Sequence, residues 1–130
     1  MKRRILLDTQ ALLWIRMDHP QLSKRAKSLY RSANNEVLLS IVTLWEITLK
    51  RSLGKLNLEG SLNQFFSSAF DILGLTLLPL TIDHVLKLEE LPFHHRDPFD
   101  RMLIAQALHE KITVVGNDPC FDSYGVRRIW

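Results

Sequence analysis

The sequence has few of the features that mark secreted, membrane-bound or zinc-binding proteins. Its one cysteine, Cys120, excludes an internal disulfide and agrees with a reducing compartment. No apolar run approaches the ~20 residues that span a bilayer, and the basic start leads directly into a predicted strand rather than a signal-peptide core. The histidines and the cysteine show no paired zinc-ligand spacing. We therefore expect a cytoplasmic protein with no membrane segment.

What is present is typical of a globular domain. The chain has 130 residues, of which 46% are hydrophobic and 24% are charged. This length is enough to bury a core, and no linker, repeat or low-complexity tract divides it. A net charge of +3 permits nucleic-acid binding without identifying it. We predict a single domain over residues 1–130.

Short apolar runs alternate with longer segments of helical pattern along the whole chain. Parallel strands are joined by such crossover connections, which place helices on the faces of the sheet. The pattern therefore predicts an α/β fold with a mainly parallel sheet covered by helices on both faces. The predicted strands cover residues 4–7, 37–39, 75–78, 113–115 and 126–129.

The helix predicted to begin at Asp97 carries two carboxylates in its first turn. Asp97 is a favourable N-cap, Pro98 fits the first helical position, and Asp100 falls at the third. Free N–H groups and the helix dipole stabilise negative charge there. The apolar residues that follow predict that most of the helix circumference is buried. Capping explains Asp97, whereas Asp100 is also a candidate for chemistry.

Four acidic residues are expected at one edge of the sheet. Asp8 follows the first predicted strand, Asp118 follows the fourth, Asp100 opens a helix, and Glu46 lies one turn into the helix after the second strand. Ligands of parallel sheets gather beyond the carboxyl ends of the strands. Each acid also has a structural alternative, because Asp8 and Asp118 suit turns or caps and Glu46 can pair with Lys50 four residues on.

Those separate alternatives do not explain why four acids from four segments converge. Close carboxylates raise one another's pKa unless a cation neutralises them. Oxygen ligands without histidine or cysteine partners favour Mg²⁺ or Mn²⁺ over zinc. Bound Mg²⁺ commonly has phosphate as its other ligand, so the sequence predicts phosphoryl or phosphodiester chemistry.

The chain resembles the PIN domain, and most closely the VapC-like toxin ribonucleases of type II toxin–antitoxin pairs. The resemblance is carried, in order and at the family's spacing, by residues 5–12, by Ser40 with residues 45–47, by residues 95–107 and by residues 115–118. It implies a three-layer α/β/α sandwich around a mainly parallel sheet of about five strands. It also implies an endoribonuclease that depends on Mg²⁺ or Mn²⁺ and leaves 5′-phosphate and 3′-hydroxyl ends.

The resemblance also implies roles for individual residues. The four acids match the family's catalytic, metal-binding positions in the order Asp8, Glu46, Asp100 and Asp118. Small polar residues that contact a ligand carboxylate or a metal-bound water are expected at Thr9, Ser40 and Asn117, although the family more often has threonine where Asn117 stands.

Substrate and partners follow from the same resemblance. It implies an RNA substrate, a cognate antitoxin protein that covers the acidic cleft, and a homodimer. The basic residues nearest the acids in sequence are candidate phosphate contacts, with solvated surface charge as the alternative: Lys50, Arg51, Lys55 and Arg101.

Several points stay open at this stage. A PIN-like module that binds RNA or protein without nuclease activity is the alternative function. His94 and His95 could contact RNA or metal, or belong only to a turn. Three phenylalanines of one predicted helix, Phe65, Phe66 and Phe70, could form a partner surface, although core packing explains their spacing.

Overall fold

Strands and helices alternate throughout the computed structural model, which describes residues 2–130. The strands are β1 (Arg3–Leu7), β2 (Asn35–Ser40), β3 (Thr76–Leu78), β4 (Thr113–Val115) and β5 (Arg128–Ile129). The helices are α1 (Thr9–Met17), α2 (Lys24–Arg31), α3 (Ile41–Ser52), α4 (Leu62–Asp71), α5 (Ile82–Glu89) and α6 (Pro98–Glu110), with a 3₁₀ helix at Pro119–Tyr124. All five strands were predicted, and β5 is shorter than expected.

The five strands form one parallel sheet in the order β3-β2-β1-β4-β5. The central strand β1 pairs with β2 on one side and with β4 on the other, so that Leu7 lies beside both Leu39 and Val115. All the carboxyl ends therefore meet at one edge. The segments that leave β1, β2 and β4 there carry Asp8, α3 and Asp118.

Alternate residues of the strands pack into two separate cores, because side chains of a strand point to opposite faces. Ile5 and Leu7 face a core shared with α1, α2 and α4. Leu6 and Val114 face the core formed with α6 and the 3₁₀ helix. The predicted α/β/α sandwich around a parallel sheet is confirmed.

The phenylalanines of α4 belong to the first of these cores. Phe65 is buried, and the half-buried Phe66 and Phe70 pack against the same cluster. Core packing therefore explains their spacing, and they do not form a separate exposed surface. Within residues 2–130, no helix combines the length and the apolar character needed to cross a membrane.

Candidate active site

Asp8 joins the central strand to α1 and is almost completely buried. It is the N-cap of α1, and its Oδ1 accepts the Ala11 N–H at 2.7 Å. Burial raises the pKa of Asp8 to about 7; the Ala11 hydrogen bond opposes this shift, whereas the charges of Asp100, Asp118 and Glu46 add to it. The surroundings of Asp8, directly after β1, therefore disfavour the ionised form of its carboxyl group.

Gly116, directly after β4, makes this position of Asp8 sterically possible. A Cβ at Gly116 would lie 2.7 Å from Asp8 Cγ and would overlap Oδ2. The Gly116 carbonyl accepts a hydrogen bond from Arg128 Nη1 at 3.0 Å, which fixes the backbone just before Asn117 and Asp118. The backbone directly after β4 is thus packed against the carboxylate of Asp8, which follows the neighbouring strand β1.

Glu46 lies on the inner face of α3 with both carboxylate oxygens engaged. Thr9 Oγ1 donates to Glu46 Oε1 at 2.6 Å, and Lys50 Nζ donates to Oε2 at 2.5 Å. The hydrogen bond to Glu46 raises the pKa of Lys50, which keeps the ammonium charged. Glu46 thus lies with the other acids at the carboxyl edge of the sheet and also forms the pair with Lys50 that the helical spacing suggested.

The first turn of α6 presents Asp100 to the same region. Asp97 is the N-cap, and its Oδ1 accepts the N–H groups of Phe99 and Asp100 at 2.8 and 3.2 Å. Burial is the main cause that raises the pKa of Asp100 to about 6; Asp97, Glu46 and Asp118 raise it further, and His95 opposes them. Asp97 is thus a cap that also adds its charge to the site.

Asp118 is the most exposed of the four acids and is the N-cap of the 3₁₀ helix. Its Oδ1 accepts the Cys120 N–H at 2.9 Å. His95 Nε2 lies 3.1 Å from Asp118 Oδ2 and 3.0 Å from Asp100 Oδ2, so the imidazole bridges the two carboxylates. The neighbouring His94 instead packs edge-to-face on Tyr124.

The four acids meet in one cleft of about 550 Å³ at the carboxyl edge of the sheet. Asn117 and Lys55 line it without a side-chain hydrogen bond among the described contacts. The lining residues are Asp8, Thr9, Gln10, Leu13, Trp14, Glu46, Ile47, Lys50, Lys55, Leu56, Asp97, Asp100, Asn117 and Asp118.

The donor set of the cleft fits a hard divalent cation. Carboxylates predominate, and burial together with their mutual repulsion raises the pKa values of Asp8 and Asp100. Oxygen donors of this kind suit Mg²⁺ and Mn²⁺. His95, Asp100 and Asp118 also bring one donor atom each within 4.8 Å of one another.

The contacts predicted for Ser40 and Arg101 are wrong. Ser40 is fully buried; it caps α3 through Val42 N and donates to Gln106 Oε1 at 2.5 Å, so it reaches neither a ligand carboxylate nor the cleft. Arg101 is also buried, and its guanidinium donates to the carbonyls of Leu91 and Pro92 and to the Tyr124 hydroxyl. It is a structural residue and cannot contact RNA phosphates.

Arg51 does not line the cleft either, because its guanidinium donates to the Gly60 carbonyl at 2.6 Å. Of the four basic candidates, only Lys50 and Lys55 lie at the cleft. Sequence reasoning missed the steric role of Gly116, for which a glycine directly after a buried strand and before Asp118 was the available signal.

The fold agrees with comparisons to known proteins. The family model described as "PIN domain" matches residues 5–126. VapBC2 from Rickettsia felis, bound to a DNA fragment from their promoter, has a TM-score of 0.72 at 15% identity, with 97% of this chain and 97% of that chain covered. FitAcB from Neisseria gonorrhoeae has a TM-score of 0.65 at 21% identity, covering 97% and 96%.

A third solved structure is VapC20 from Mycobacterium tuberculosis, described as a sarcin–ricin loop cleaving toxin. Its TM-score is 0.67 at 19% identity, and the alignment covers 94% of this chain and 95% of that chain. No curated protein matches the sequence. Since the family model spans nearly the whole chain, the chain belongs to the PIN domain family and has the fold of VapC-type proteins.

Proposed function

We propose that the chain is a single PIN domain that acts in the cytoplasm as an Mg²⁺- or Mn²⁺-dependent endoribonuclease, the toxin of a toxin–antitoxin pair. The observation that carries this proposal is the convergence of four carboxylates, from four separate segments, on one cleft. Burial, with a smaller contribution from the neighbouring carboxylates, raises the pKa values of Asp8 and Asp100, and a bound cation would offset both effects and favour their ionised forms.

Asp8, Asp100 and Asp118 would hold the cation, with Glu46 as a direct ligand or a ligand through water. When bound, the cation supplies positive charge that stabilises the transition state of phosphodiester hydrolysis. Thr9 fixes one oxygen of Glu46 by its 2.6 Å hydrogen bond and so orients the carboxylate. Asn117 supplies an amide at the cleft wall beside Asp118.

Lys50 and Lys55 are the cations that the cleft offers to the RNA backbone. Both line the cleft, and Lys50 is 42% exposed although its ammonium is paired with Glu46. Lysine contacts to phosphate give affinity without sequence specificity. We therefore assign Lys50 and Lys55 to backbone binding.

The decisive assay compares cleavage of a mixed RNA pool by the wild-type protein and by Asp8→Asn, with and without Mg²⁺ or Mn²⁺. We expect cation-dependent cleavage by the wild type and a loss of at least a hundredfold in the variant. Asp71→Asn is the control, because Asp71 is an exposed residue at the end of α4. Equal cleavage by wild type and Asp8→Asn would overturn the catalytic assignment.

The alternative is a PIN-like module that binds RNA or protein without cutting it. Binding of RNA by both wild type and Asp8→Asn, with no cleavage by either at any cation concentration, would support that alternative instead.

We further propose that a small antitoxin, encoded alongside, covers the acidic cleft. The similar structures include the complexes named VapBC2 and FitAcB, which supports a partner protein for this chain too. Co-expression with the neighbouring open reading frame should relieve growth arrest caused by the chain alone. Unrelieved arrest would contradict the antitoxin proposal.

The toxin is also proposed to be a homodimer. One face of α3 carries an exposed apolar stripe, formed by Ile41, Trp45 and Leu49 and continued by the C-cap residue Leu53, with exposures of 38 to 59%. One edge of the Trp45 side chain also packs on Phe99 of α6. Leu77 and Leu80 extend the stripe across a shallow groove next to Ile41 and Trp45. A stripe on a single straight helix can pack against its own copy about a two-fold axis, which is the usual symmetry of homodimers.

A further inference from the structure

His95 is held in place by one contact of its backbone and two contacts of its imidazole, none of which involves a carboxylate. The backbone N–H of His95 donates to the Tyr124 hydroxyl at 2.8 Å, and the backbone N–H of Asp97 donates to His95 Nδ1 at 3.2 Å. The ring also packs edge-to-face near Phe121, with centroids 6.5 Å apart. Since the side chain is only 18% exposed, the segment before α6 fixes where Nε2 points.

These contacts also determine which ring nitrogen carries the hydrogen. Because Nδ1 accepts the Asp97 N–H, the ring hydrogen lies on Nε2. Nε2–H donates to Asp118 Oδ2 at 3.1 Å and lies 3.0 Å from Asp100 Oδ2. A nitrogen that carries a hydrogen has no lone pair for a cation, so His95 meets the site as a donor and not as a ligand.

Asp118 is the acid that needs this support. Asp8 and Glu46 are 5% and 3% exposed, and hydrogen bonds described above also hold their carboxylates, so neither depends on His95. The Asp118 side chain is 41% exposed and follows the strand in a loop. Its Oδ1 is held by the Cys120 N–H and its Oδ2 by His95, which together fix the plane of the carboxylate.

We propose that His95 is a positioning residue whose Nε2–H orients Asp118 and holds it next to Asp100, while the imidazole itself stays outside the coordination of the cation. The proposal rests on the cation-dependent function proposed above. In this arrangement the cation has oxygen ligands, and His95 holds one of those ligands in place.

The test uses two variants of His95, one that keeps an N–H donor near the position of Nε2 and one that does not. His95→Gln places an amide N–H near the position of Nε2, whereas His95→Asn reaches only the position of Nδ1. We measure Mn²⁺ binding to the full chain by calorimetry. His95→Gln should bind within about threefold of wild type, and His95→Asn should bind about tenfold or more weakly, as is usual when the support of a ligand is lost.

A spectroscopic measurement separates positioning from ligation in the unaltered protein. Pulsed electron paramagnetic resonance of Mn²⁺ bound to protein labelled with ¹⁵N-histidine should show no directly bonded nitrogen. A directly bonded histidine nitrogen would overturn the proposal, and so would His95→Asn binding Mn²⁺ as tightly as wild type. Equal weakening in the Gln and Asn variants would overturn it too, because the N–H donor would then have no separate effect.

The same data distinguish this inference from the function on which it rests. Wild-type protein that binds no Mn²⁺ would overturn both together. Wild-type protein that binds Mn²⁺ and cleaves RNA, with His95→Asn unchanged in affinity, would overturn the role of His95 alone.

Discussion

Asp8 carries an electrostatic penalty that depends on pH. Its pKa is about 7 in the folded protein, against an ordinary value of 3.8. Between these two values the folded state holds the proton more tightly than the unfolded state does, so the stability of the cation-free protein falls as pH rises through this range. Asp100, with a pKa of about 6, acts in the same direction.

We therefore predict that Asp8→Asn stabilises the cation-free protein at pH 8 by about 2 kcal/mol, because it removes a buried charge while Oδ1 can still accept the Ala11 N–H. At pH 5 the gain should be less than half as large, because only part of the range between the two pKa values, 3.8 and about 7, then lies below the working pH. Urea unfolding in EDTA at both pH values measures the difference, with Asp71→Asn as the control. A destabilised Asp8→Asn protein at pH 8 would contradict the electrostatic explanation.

Gly116 is predicted to be required for the geometry of Asp8. Gly116→Ala should weaken Mn²⁺ binding by about tenfold or more, since the new methyl group displaces the carboxylate that it overlaps. The matched change is Gly54→Ala, where nothing lies within 4 Å of the new Cβ but φ is +72°. That variant should lose about 1 kcal/mol of stability from backbone strain and keep its Mn²⁺ affinity. Calorimetry and urea unfolding of both proteins test the contrast, which fails if Gly116→Ala binds normally.

The sequence predicts which acidic residues lie together in the cleft. It does not predict the hydrogen-bond partners of the individual side chains. Asp8 and Asp118 could be placed because they directly follow strands whose carboxyl ends share an edge. The contacts of Ser40 could not be predicted, because the direction of its hydroxyl depends on Gln106, which lies 66 residues away in sequence. The His95–Asp118 hydrogen bond depends in the same way on a tertiary contact.

Among the elements, α6 shows how one helix start serves both stability and the site. Asp97→Asn should keep the cap and lose at most about 0.5 kcal/mol, whereas Asp97→Ala should lose about 1 kcal/mol. Both changes should lower the pKa of Asp100, because the Asp97 charge helps to raise it. Urea unfolding and an NMR titration of Asp100 measure the two effects.

Substitution of Asp100 should affect cleavage, whereas substitution of Asp97 should mainly affect stability. Asp100→Asn should keep the fold and lose cation-dependent cleavage, whereas Asp97→Asn should keep most of it. If both variants lost cleavage equally, the division between a cap and a ligand would be wrong.

The same helix explains why Arg101 was misassigned. Its apolar pattern predicts burial around most of its circumference, and Arg101 lies within that buried surface. The guanidinium is accommodated because it donates to two carbonyls of the segment after α5 and to a hydroxyl of the 3₁₀ helix. The helix was predictable from its own sequence, whereas those acceptors belong to other segments.

For the whole molecule, we predict a dimer that depends on the stripe of α3. Light scattering after gel filtration should give about twice the 15.1 kDa of the chain. Leu49→Glu should shift the protein toward the monomer, because it places a charge in the centre of the apolar stripe. Ile72→Glu is the control, since Ile72 is 78% exposed at the end of α4. A monomeric wild type, or a Leu49→Glu protein that stays dimeric, would contradict this interface.

The fold class was predictable from the alternation of strands and helices, which is a property of each segment in turn. The strand order was not, because β1 lies between β2 and β4 through contacts that join distant parts of the chain. β5 forms only two residues of ladder, too little for a strong pattern of its own.

The order of the four acids along the chain has a consequence for synthesis. They stand at positions 8, 46, 100 and 118, so the last one is translated 110 residues after the first. The central strand β1 also pairs with β4, which reaches only to Val115. A nascent chain that ends before Thr113 therefore lacks both one of the proposed metal ligands and the strand that places it. The nuclease proposed above would thus become complete only after Asp118 has been translated and β4 has paired with β1.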